Sequence, residues 1–220
     1  MDTVELIARG AAEMGLALPR GAAERLDAFL ALLRKWNRAQ NLTAITEPRA
    51  MVSGHVLDSL AGQPWLAPGR VLDVGSGAGL PGIPLAIAEP GREFVLLDSR
   101  RKRVQFLLYA CSELGLGNVS VVESRIEKYR PDGNFGTLTA RAFAAIPEII
   151  RLAAPFIETG ARLVVWRGSD PSAELAEALA GGDLDHSVHP VRVPGIRAPR
   201  HIAVIAGRQG PRSRAGAGAI

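Results

Sequence analysis

The chain changes its hydrophobic period about a third of the way along. Up to residue 60, apolar residues recur at intervals of three and four, which is typical of amphipathic helices. This spacing predicts helices over residues 3–15, 21–39 and 47–60. The second is the clearest, because its apolar residues form one continuous stripe: Leu26, Phe29, Leu30, Leu33 and Trp36.

From residue 70 onward, short apolar runs of β character alternate with helical patterns. The predicted strands are residues 70–74, 93–97, 118–122, 136–140 and 161–166. The predicted helices are residues 83–89, 100–114, 147–157 and a stretch from Asp170-Pro171 to Gly181-Gly182. Two last strands, 187–193 and 201–206, flank a Pro- and Gly-containing turn. This order predicts an α/β fold with a mostly parallel seven-stranded sheet and an antiparallel edge hairpin.

Breaks in these patterns divide the chain into three parts. Gln63-Pro64 and Pro68-Gly69 separate the helical part from the alternating part. We therefore expect an N-terminal helical extension over residues 1–66 and the α/β domain over residues 67–208. Residues 209–220 are rich in Gly, Arg and Ala and have no apolar pattern, so we expect a disordered basic tail.

Composition limits the cellular compartments and the kinds of functional site that we expect. No apolar run approaches the ~20 residues that span a bilayer, and the N-terminus lacks a signal-peptide pattern. We therefore expect a cytoplasmic protein without a membrane segment. The single cysteine, Cys111, excludes an internal disulfide framework and a multi-cysteine zinc site, and it lies on an apolar helical stripe typical of a core. The formal net charge of +4 gives mild support to a polyanionic partner.

The clearest candidate for a binding site is the stretch from Val71 to Gly82. A predicted strand runs here into a loop with glycine at every second position, Gly75, Gly77 and Gly79. Glycine lacks Cβ, so it suits a chain that turns sharply and that a ligand contacts along the backbone. A strand, a glycine loop and a helix indicate a nucleotide-type site at the carboxyl edge of a parallel sheet.

The residues of this loop favour S-adenosylmethionine over a dinucleotide. Residues 77–82 match G-x-G-x-x-G, but in that fingerprint the first glycine directly follows the strand, and counting from Gly75 places Leu80 at the third position. Asp73 would set a negative charge beside a pyrophosphate, whereas a sulfonium and an ammonium favour it. Asp98, after the second strand, is placed to accept ribose hydroxyls. NAD has the same diol, so an NAD-dependent oxidoreductase stays an alternative.

Motifs along most of the chain resemble one known family. They are Trp36-Asn37, Asn41-Leu42-Thr43, His55 to Ser59, Asp73 to Pro84, Leu96 to Ser99, Lys102 to Val104, Ser124-Arg125, Arg141 to Ala144 and Arg200-His201. Their order and spacing are similar to those of the bacterial small-subunit ribosomal RNA guanine-N7 methyltransferases, also called the glucose-inhibited division protein B family. The resemblance extends from about residue 30 to residue 206, and the match is poor over residues 1–20 and beyond Arg208.

The resemblance implies a class I S-adenosylmethionine-dependent methyltransferase domain with a Rossmann-like sheet. It implies methylation of N7 of a guanine in 16S ribosomal RNA, in the decoding-region loop of nucleotide 527. The partner would be that RNA, the 30S subunit or an assembly intermediate, and we expect a monomer. Family cofactor contacts fall on Gly75, Leu80, Ile126, Glu127 and Arg141. The residue-level argument adds Asp73, Gly77, Gly79 and Asp98 as cofactor-binding candidates.

The chemistry of N7 transfer is compatible with these residues. The segment from Thr139 to Phe143 has no Asn/Asp-Pro-Pro-aromatic clamp for an exocyclic amine, and Cys111 is not placed to attack a pyrimidine ring. Guanine N7 carries a lone pair and no proton, so transfer needs alignment and exclusion of water rather than a base. Arg141 is the candidate catalytic positioning residue, through O6, a phosphate or the cofactor carboxylate. A salt bridge across the cleft is its alternative role.

Basic residues supply the candidate RNA contacts: Lys35, His55, Arg100, Arg101, Lys102, Arg103, Arg197 and Arg200. Four of them begin a helix, where positive charge opposes the helix dipole and is slightly destabilising. This cost is tolerable if the four side chains bind phosphates. A solvated charged face is the other interpretation. His55 shares a helix face with Asp58 and Ser59, so a structural His/Asp pair is its alternative. A small-molecule methyltransferase and a non-catalytic RNA-binding module remain alternatives for the whole chain.

Overall fold

The computed structural model describes residues 2–208. The predicted disordered tail, residues 209–220, lies outside the described residues. The described residues form seven strands: β1 Val71–Val74, β2 Phe94–Asp98, β3 Val119–Glu123, β4 Thr137–Arg141, β5 Arg162–Arg167, β6 Leu184–Pro190 and β7 His201–Gly207. They form one sheet in the order β3-β2-β1-β4-β5-β7-β6. The first five strands are parallel, and β7 is antiparallel to both of its neighbours. The predicted class I methyltransferase sheet is thereby confirmed.

Helices cover both faces of this sheet. They are α1 Thr3–Glu13, α2 Ala22–Gln40, α3 Pro48–Met51, α4 Asp58–Leu60, α5 Gly82–Ala88, α6 Arg101–Glu113, α7 Ile146–Glu158 and α8 Ser172–Ala178. A π-helix, Val52–Leu57, joins α3 to α4, and we call these three pieces together the 48–60 helix. The apolar spacing predicted this helix but not its π segment. No helix within residues 2–208 combines the length and apolarity that crossing a bilayer requires.

Two hydrophobic cores lie on opposite faces of the sheet. Val71 belongs to one core and Leu72 to the other, because successive strand residues point to opposite faces. The first core also contains side chains from α1, α2 and the 48–60 helix, packed with those of α5 and α6. The second core lies beneath α7. The N-terminal helices therefore complete one core of the sheet rather than forming a separate one.

The edge strand β6 begins three residues earlier than predicted and ends three residues earlier. The apolar pattern placed a strand over residues 187–193, whereas the hairpin pairs residues 184–190 with β7. The chain leaves the sheet after Pro190, and Val193 is buried among the helices of the first core. Its apolar character thus reflects packing on helices and not strand pairing.

The sheet topology determines where a ligand can bind. The chain builds the sheet outward from β1 to β3 and then returns to build β4 and β5 on the other side of β1. A parallel sheet of this kind opens a crevice at the carboxyl ends of the strands where the order reverses. That point lies between β1 and β4, beside the glycine loop.

Candidate functional site

The glycine loop after β1 adopts the turn for which its glycines were predicted. Gly75, Gly77 and Gly79 have φ angles of 68°, 55° and 80°. Side chains rarely occupy this left-handed region, so glycine at each position removes a steric cost. A Cβ at Gly79 would clash with Ile83, and this glycine therefore serves close packing of the loop on α5.

Asp73 lies beneath the loop rather than in a cavity. Its carboxylate accepts hydrogen bonds from the Gly82 N–H at 3.2 Å and from the Thr139 hydroxyl at 2.8 Å. The side chain is fully buried, and burial raises its pKa to about 6 although these hydrogen bonds oppose the rise. From the sequence, Asp73 was expected to serve positive groups of a cofactor, directly or through water. The structure shows a carboxylate that fastens the start of α5 to β1 and β4.

Asp98, at the end of β2, holds the loop from the other side. Its Oδ2 accepts the Gly77 N–H at 2.9 Å, and its Oδ1 accepts the Arg100 N–H at 2.8 Å. The Arg103 guanidinium lies 3.5 Å from Oδ2. A carboxylate offers about four lone-pair sites, so Asp98 can still accept further hydrogen bonds from a ligand.

A cavity of about 260 Å³ opens beside Asp98 at the carboxyl ends of β1, β2 and β4. Four of the predicted cofactor residues line it: Gly75, Asp98, Ile126 and Glu127. Two of the predicted RNA contacts, Arg100 and Arg103, line it as well. Leu80 packs instead against the first core. Gly77 does not line the cavity but donates its N–H to Asp98, which does. Four of the nine predicted cofactor residues thus line this cavity.

The cavity is lined by residue types that could hold an adenosine group. The Gly75 backbone and the Asp98 carboxylate form one wall, and the apolar side chains of Ile126 and Leu152 add contact area for a flat ring. Asp98 would hold the ribose diol, and Ile126 would pack against the adenine. An acceptor for hydroxyls and an apolar surface for the base suit S-adenosylmethionine, and they would suit another adenosine-containing cofactor equally.

Phe143 lines the cavity but was not predicted as a site residue. Its ring lies directly on Gly75, where a Cβ would clash with it, and the side chain remains 39% exposed at the cavity. Ala142 before it has a φ of 51°, an uncommon angle for a residue with a side chain. An aromatic residue directly after the β4 arginine was visible in the sequence. Its position over the loop depends on the backbone turn at Ala142, which no local pattern predicts.

Arg141 binds the 48–60 helix and does not line the cavity. Its Nη1 lies 3.0 Å from Asp58 Oδ2 and donates to the Ser59 hydroxyl at 3.2 Å, and its Nη2 donates to the Gly54 carbonyl at 2.7 Å. Arg200 contacts the other Asp58 oxygen at 3.0 Å. Burial lowers the pKa of Arg141, and the Asp58 charge opposes this change. The salt-bridge alternative from the sequence is the arrangement that the structure shows.

His55 is enclosed and cannot present its ring to RNA in this structure. It is 3% exposed, and its Nε2 lies 2.8 Å from the Thr43 hydroxyl. Burial lowers its pKa to about 4, with a further contribution from the Arg141 charge. The alternative pairing with Asp58 is not formed either, because Asp58 binds Arg141 and Arg200. His55 instead fixes the loop after α2 to the 48–60 helix.

The remaining basic candidates lie on the surface at several places. Arg101 and Lys102 are exposed in the first turn of α6, and Lys35 is exposed on α2 with its ammonium 6.0 Å from the Tyr109 ring. Arg197 is exposed in the connection between β6 and β7. Cys111 is buried as predicted, and burial raises its thiol pKa to about 12, which excludes a thiolate nucleophile near neutral pH.

Comparison with known proteins agrees with this geometry. A model of the family described as rRNA small subunit methyltransferase G (GidB) matches residues 22–203. Ribosomal RNA small subunit methyltransferase G of Methylococcus capsulatus is 46% identical over 90% of this chain and 96% of its own. The protein of that name from Coxiella burnetii (strain Dugway 5J108-111) is 40% identical over 94% and 99%.

A solved structure supports the fold at much lower identity. Precorrin-6y C5,15-methyltransferase from Geobacter metallireducens superposes with a TM-score of 0.54 and 16% identity, covering 77% of this chain and 93% of the other. This similarity between the two structures shows a shared fold only. The family match covers most of the chain, and the two relatives are covered almost completely. The chain therefore belongs to the rRNA small subunit methyltransferase G family.

Proposed function

We propose that the protein transfers a methyl group from S-adenosylmethionine to N7 of a guanine in the 16S ribosomal RNA of the small subunit. The observation that carries the proposal is the cavity beside Asp98, which offers an acceptor for a ribose diol next to a glycine loop. The names of the relatives support a ribosomal RNA substrate. Membership of this family is at odds with the dinucleotide oxidoreductase alternative.

Methyl transfer to guanine N7 requires little acid–base catalysis from the protein. Bound S-adenosylmethionine supplies a methyl group on a positively charged sulfur, and guanine N7 attacks with a free lone pair. No proton leaves N7, so the residues need only align the reactants and exclude water. This requirement accords with a site where the one cysteine is enclosed and Asp73 is occupied by Thr139 and Gly82.

Arg141 is proposed as a positioning residue that acts through the backbone. Its ion pair with Asp58 and its bond to the Gly54 carbonyl tie the end of β4 to the 48–60 helix. The next residues, Ala142 and Phe143, line the cavity. The contacts of Arg141 therefore fix the position of Ala142 and Phe143, the segment that the target base must approach. RNA would enter over the exposed first turn of α6, where Arg101 and Lys102 face solvent.

The test is transfer of a labelled methyl group to 30S subunits and to naked 16S RNA from a strain that lacks this gene. We expect label in 7-methylguanine at one site. Label in another nucleotide would overturn the N7 assignment, and label in neither RNA form would overturn the RNA substrate. Sedimentation of the purified protein checks the expected monomer, and fractionation of cells checks the expected cytoplasmic location.

Arg141→Lys is the informative variant in the same assay. Lysine keeps the charge but cannot hold Asp58, Ser59 and the Gly54 carbonyl together with a planar fork. We expect kcat to fall at least about tenfold while the dissociation constant of S-adenosylhomocysteine changes less than about threefold. A loss of cofactor affinity as large as the loss of kcat would place Arg141 in the cofactor site instead.

A further inference from the structure

A large cavity of the described residues lies outside the cofactor site. It has a volume of about 870 Å³ and lies between α1, the start of the 48–60 helix and the β6–β7 connection, residues 191–200. Arginines from all three elements line it: Arg9, Arg49, Arg192 and Arg197. We call this cavity the arginine cleft. None of the motifs that identified the family lies on these four residues.

The charge of the arginine cleft is unbalanced. Among residues 2–208, Glu13 is the one acidic residue in its lining, and it lies 3.4 Å from Arg9. Arg49, Arg192 and Arg197 are exposed, and none of them forms an ion pair within residues 2–208. Three guanidinium groups are therefore available for an anionic partner.

The walls of the cleft are packed against one another. A Cβ at Gly195 would clash with Ser53, so the β6–β7 connection rests directly on the 48–60 helix. A Cβ at Gly10 would clash with Leu57, so α1 rests on the same helix. Val193, between Arg192 and the turn, is buried in the first core. The backbone that carries the arginines is thus held in place before any partner binds, which reduces the entropy cost of binding.

The 48–60 helix and the β6–β7 connection also contribute to the contacts that hold the end of β4, next to the cofactor cavity. The 48–60 helix supplies Asp58 to Arg141, and the β6–β7 connection ends at Arg200, which binds the same Asp58. A strand of RNA bound in the cleft would therefore contact the elements that hold the end of β4. The charge suits a contact with RNA, and Asp58 and Arg200 connect the walls of the cleft to the end of β4 beside the cofactor cavity.

We propose that the arginine cleft binds backbone phosphates of the substrate RNA next to the target nucleotide. The proposal rests on the proposed function, because it takes RNA as the substrate. Guanidinium groups match phosphate oxygens with paired hydrogen bonds. In the part of the chain that the structure describes, the lining contains no aromatic side chain on which a base could stack, and such side chains are also enriched in protein–protein interfaces. Phosphate contact without base reading is the role that this lining supports.

The experiment compares two triple variants with equal change of charge. One is Arg49→Gln, Arg192→Gln and Arg197→Gln in the cleft. The control is Arg20→Gln, Arg25→Gln and Arg151→Gln, three exposed arginines outside the cleft that form no ion pair within the described chain. For each protein the KM for 30S subunits, the kcat, the salt dependence of RNA binding and the affinity for S-adenosylhomocysteine are measured.

We expect the cleft variant to raise the KM for RNA at least about tenfold, with kcat and cofactor affinity unchanged. The slope of log affinity against log salt should become less negative by about 2, since each single-strand phosphate contact contributes about 0.7. The control should stay within about twofold of the wild type.

Equal effects in the two triple variants would overturn the cleft proposal and leave the proposed function intact. A cleft variant that loses cofactor affinity in parallel would assign these arginines to folding and would also overturn it. Absence of methyl transfer to RNA by the wild type would overturn the proposed function itself, and the cleft proposal with it.

Discussion

At the scale of single residues, two aspartates at strand ends have different tasks. Asp73 is fully enclosed and supports the start of α5, whereas Asp98 borders the cavity and supports the loop backbone. The sequence placed both near the cofactor because both follow apolar strand residues. All four residues of β1 are buried, so no alternation along that strand indicates which way Asp73 points.

Asp98→Asn tests the cofactor role of this carboxylate. The amide keeps the size of the side chain but removes its charge, and hydrogen bonds to a charged acceptor are worth about 1.5–3 kcal/mol. We expect the dissociation constant of S-adenosylhomocysteine to rise about 10- to 100-fold in titration calorimetry. Glu123→Gln is the matched control, because Glu123 ends the neighbouring strand beside Asp98 without lining the cavity. Equal affinity in both variants would contradict the assignment.

Phe143→Ala tests whether the ring over Gly75 limits the cavity. The variant removes an apolar side chain that is 39% exposed and takes away no polar partner, so the cavity widens at little cost in stability. We expect S-adenosylhomocysteine to bind as tightly as to the wild type or up to about tenfold more tightly. Phe143→Leu, which keeps most of the volume, is the control. Affinity weakened about tenfold by alanine would instead make the ring part of the cofactor site.

At the scale of elements, the 48–60 helix connects the N-terminal helices to the reaction site. It contributes Gly54, Asp58 and Ser59 to the contacts of Arg141. Its π segment spans Val52–Leu57, and such segments occur frequently at functional sites. The Trp166 indole of β5 donates to the Asp58 carbonyl at 2.7 Å and holds the end of this helix to the sheet.

Gly62→Ala tests this attachment. A Cβ at Gly62 would clash with the Trp166 ring, while its φ of −87° is open to alanine, so the effect is purely steric. We expect a loss of about 1–3 kcal/mol in the free energy of unfolding, measured by urea denaturation. Gly91→Ala is the control, because a Cβ there meets no atom within 4 Å. Equal stability of the two variants would show that the Trp166 ring moves aside without lowering the free energy of unfolding.

At the scale of the whole molecule, two buried groups give the stability opposite responses to acid. Burial lowers the pKa of His55 to about 4 from 6.5, so its contribution is present above pH 6.5 and is lost as the pH falls toward 4. Burial raises the pKa of Asp73 to about 6 from 3.8. Asp73 therefore takes up a proton at a higher pH in the folded state than in the unfolded state. Acidification from pH 6 to 4 then removes the cost of burying its charge.

His55→Gln separates the two responses. Glutamine does not titrate, so the variant keeps the Asp73 contribution and loses that of His55. Between pH 7 and pH 5 the wild type should lose about 2 kcal/mol more unfolding free energy than the variant does. Urea denaturation at both pH values measures this difference. An identical pH dependence of the two proteins would show that His55 is protonated in the folded state at pH 5.

The local sequence by itself determined the elements and the cradle of the site. Apolar periods predicted the helices and strands, and the spacing of Gly75, Gly77 and Gly79 predicted a tight loop, because only glycine occupies three left-handed positions so cheaply. The order of elements predicted the parallel sheet and its hairpin. These features depend on neighbours a few residues apart, which a sequence displays directly.

Only the tertiary structure decided where the polar side chains point and what they contact. Arg141 meets Asp58, 83 positions earlier along the chain, and Arg200 meets it from 142 positions later. His55 is enclosed by packing that no helical pattern shows, and Phe143 reaches Gly75 through the backbone turn at Ala142. Such contacts form between elements distant in the chain, so their geometry follows from how the cores pack and not from local spacing.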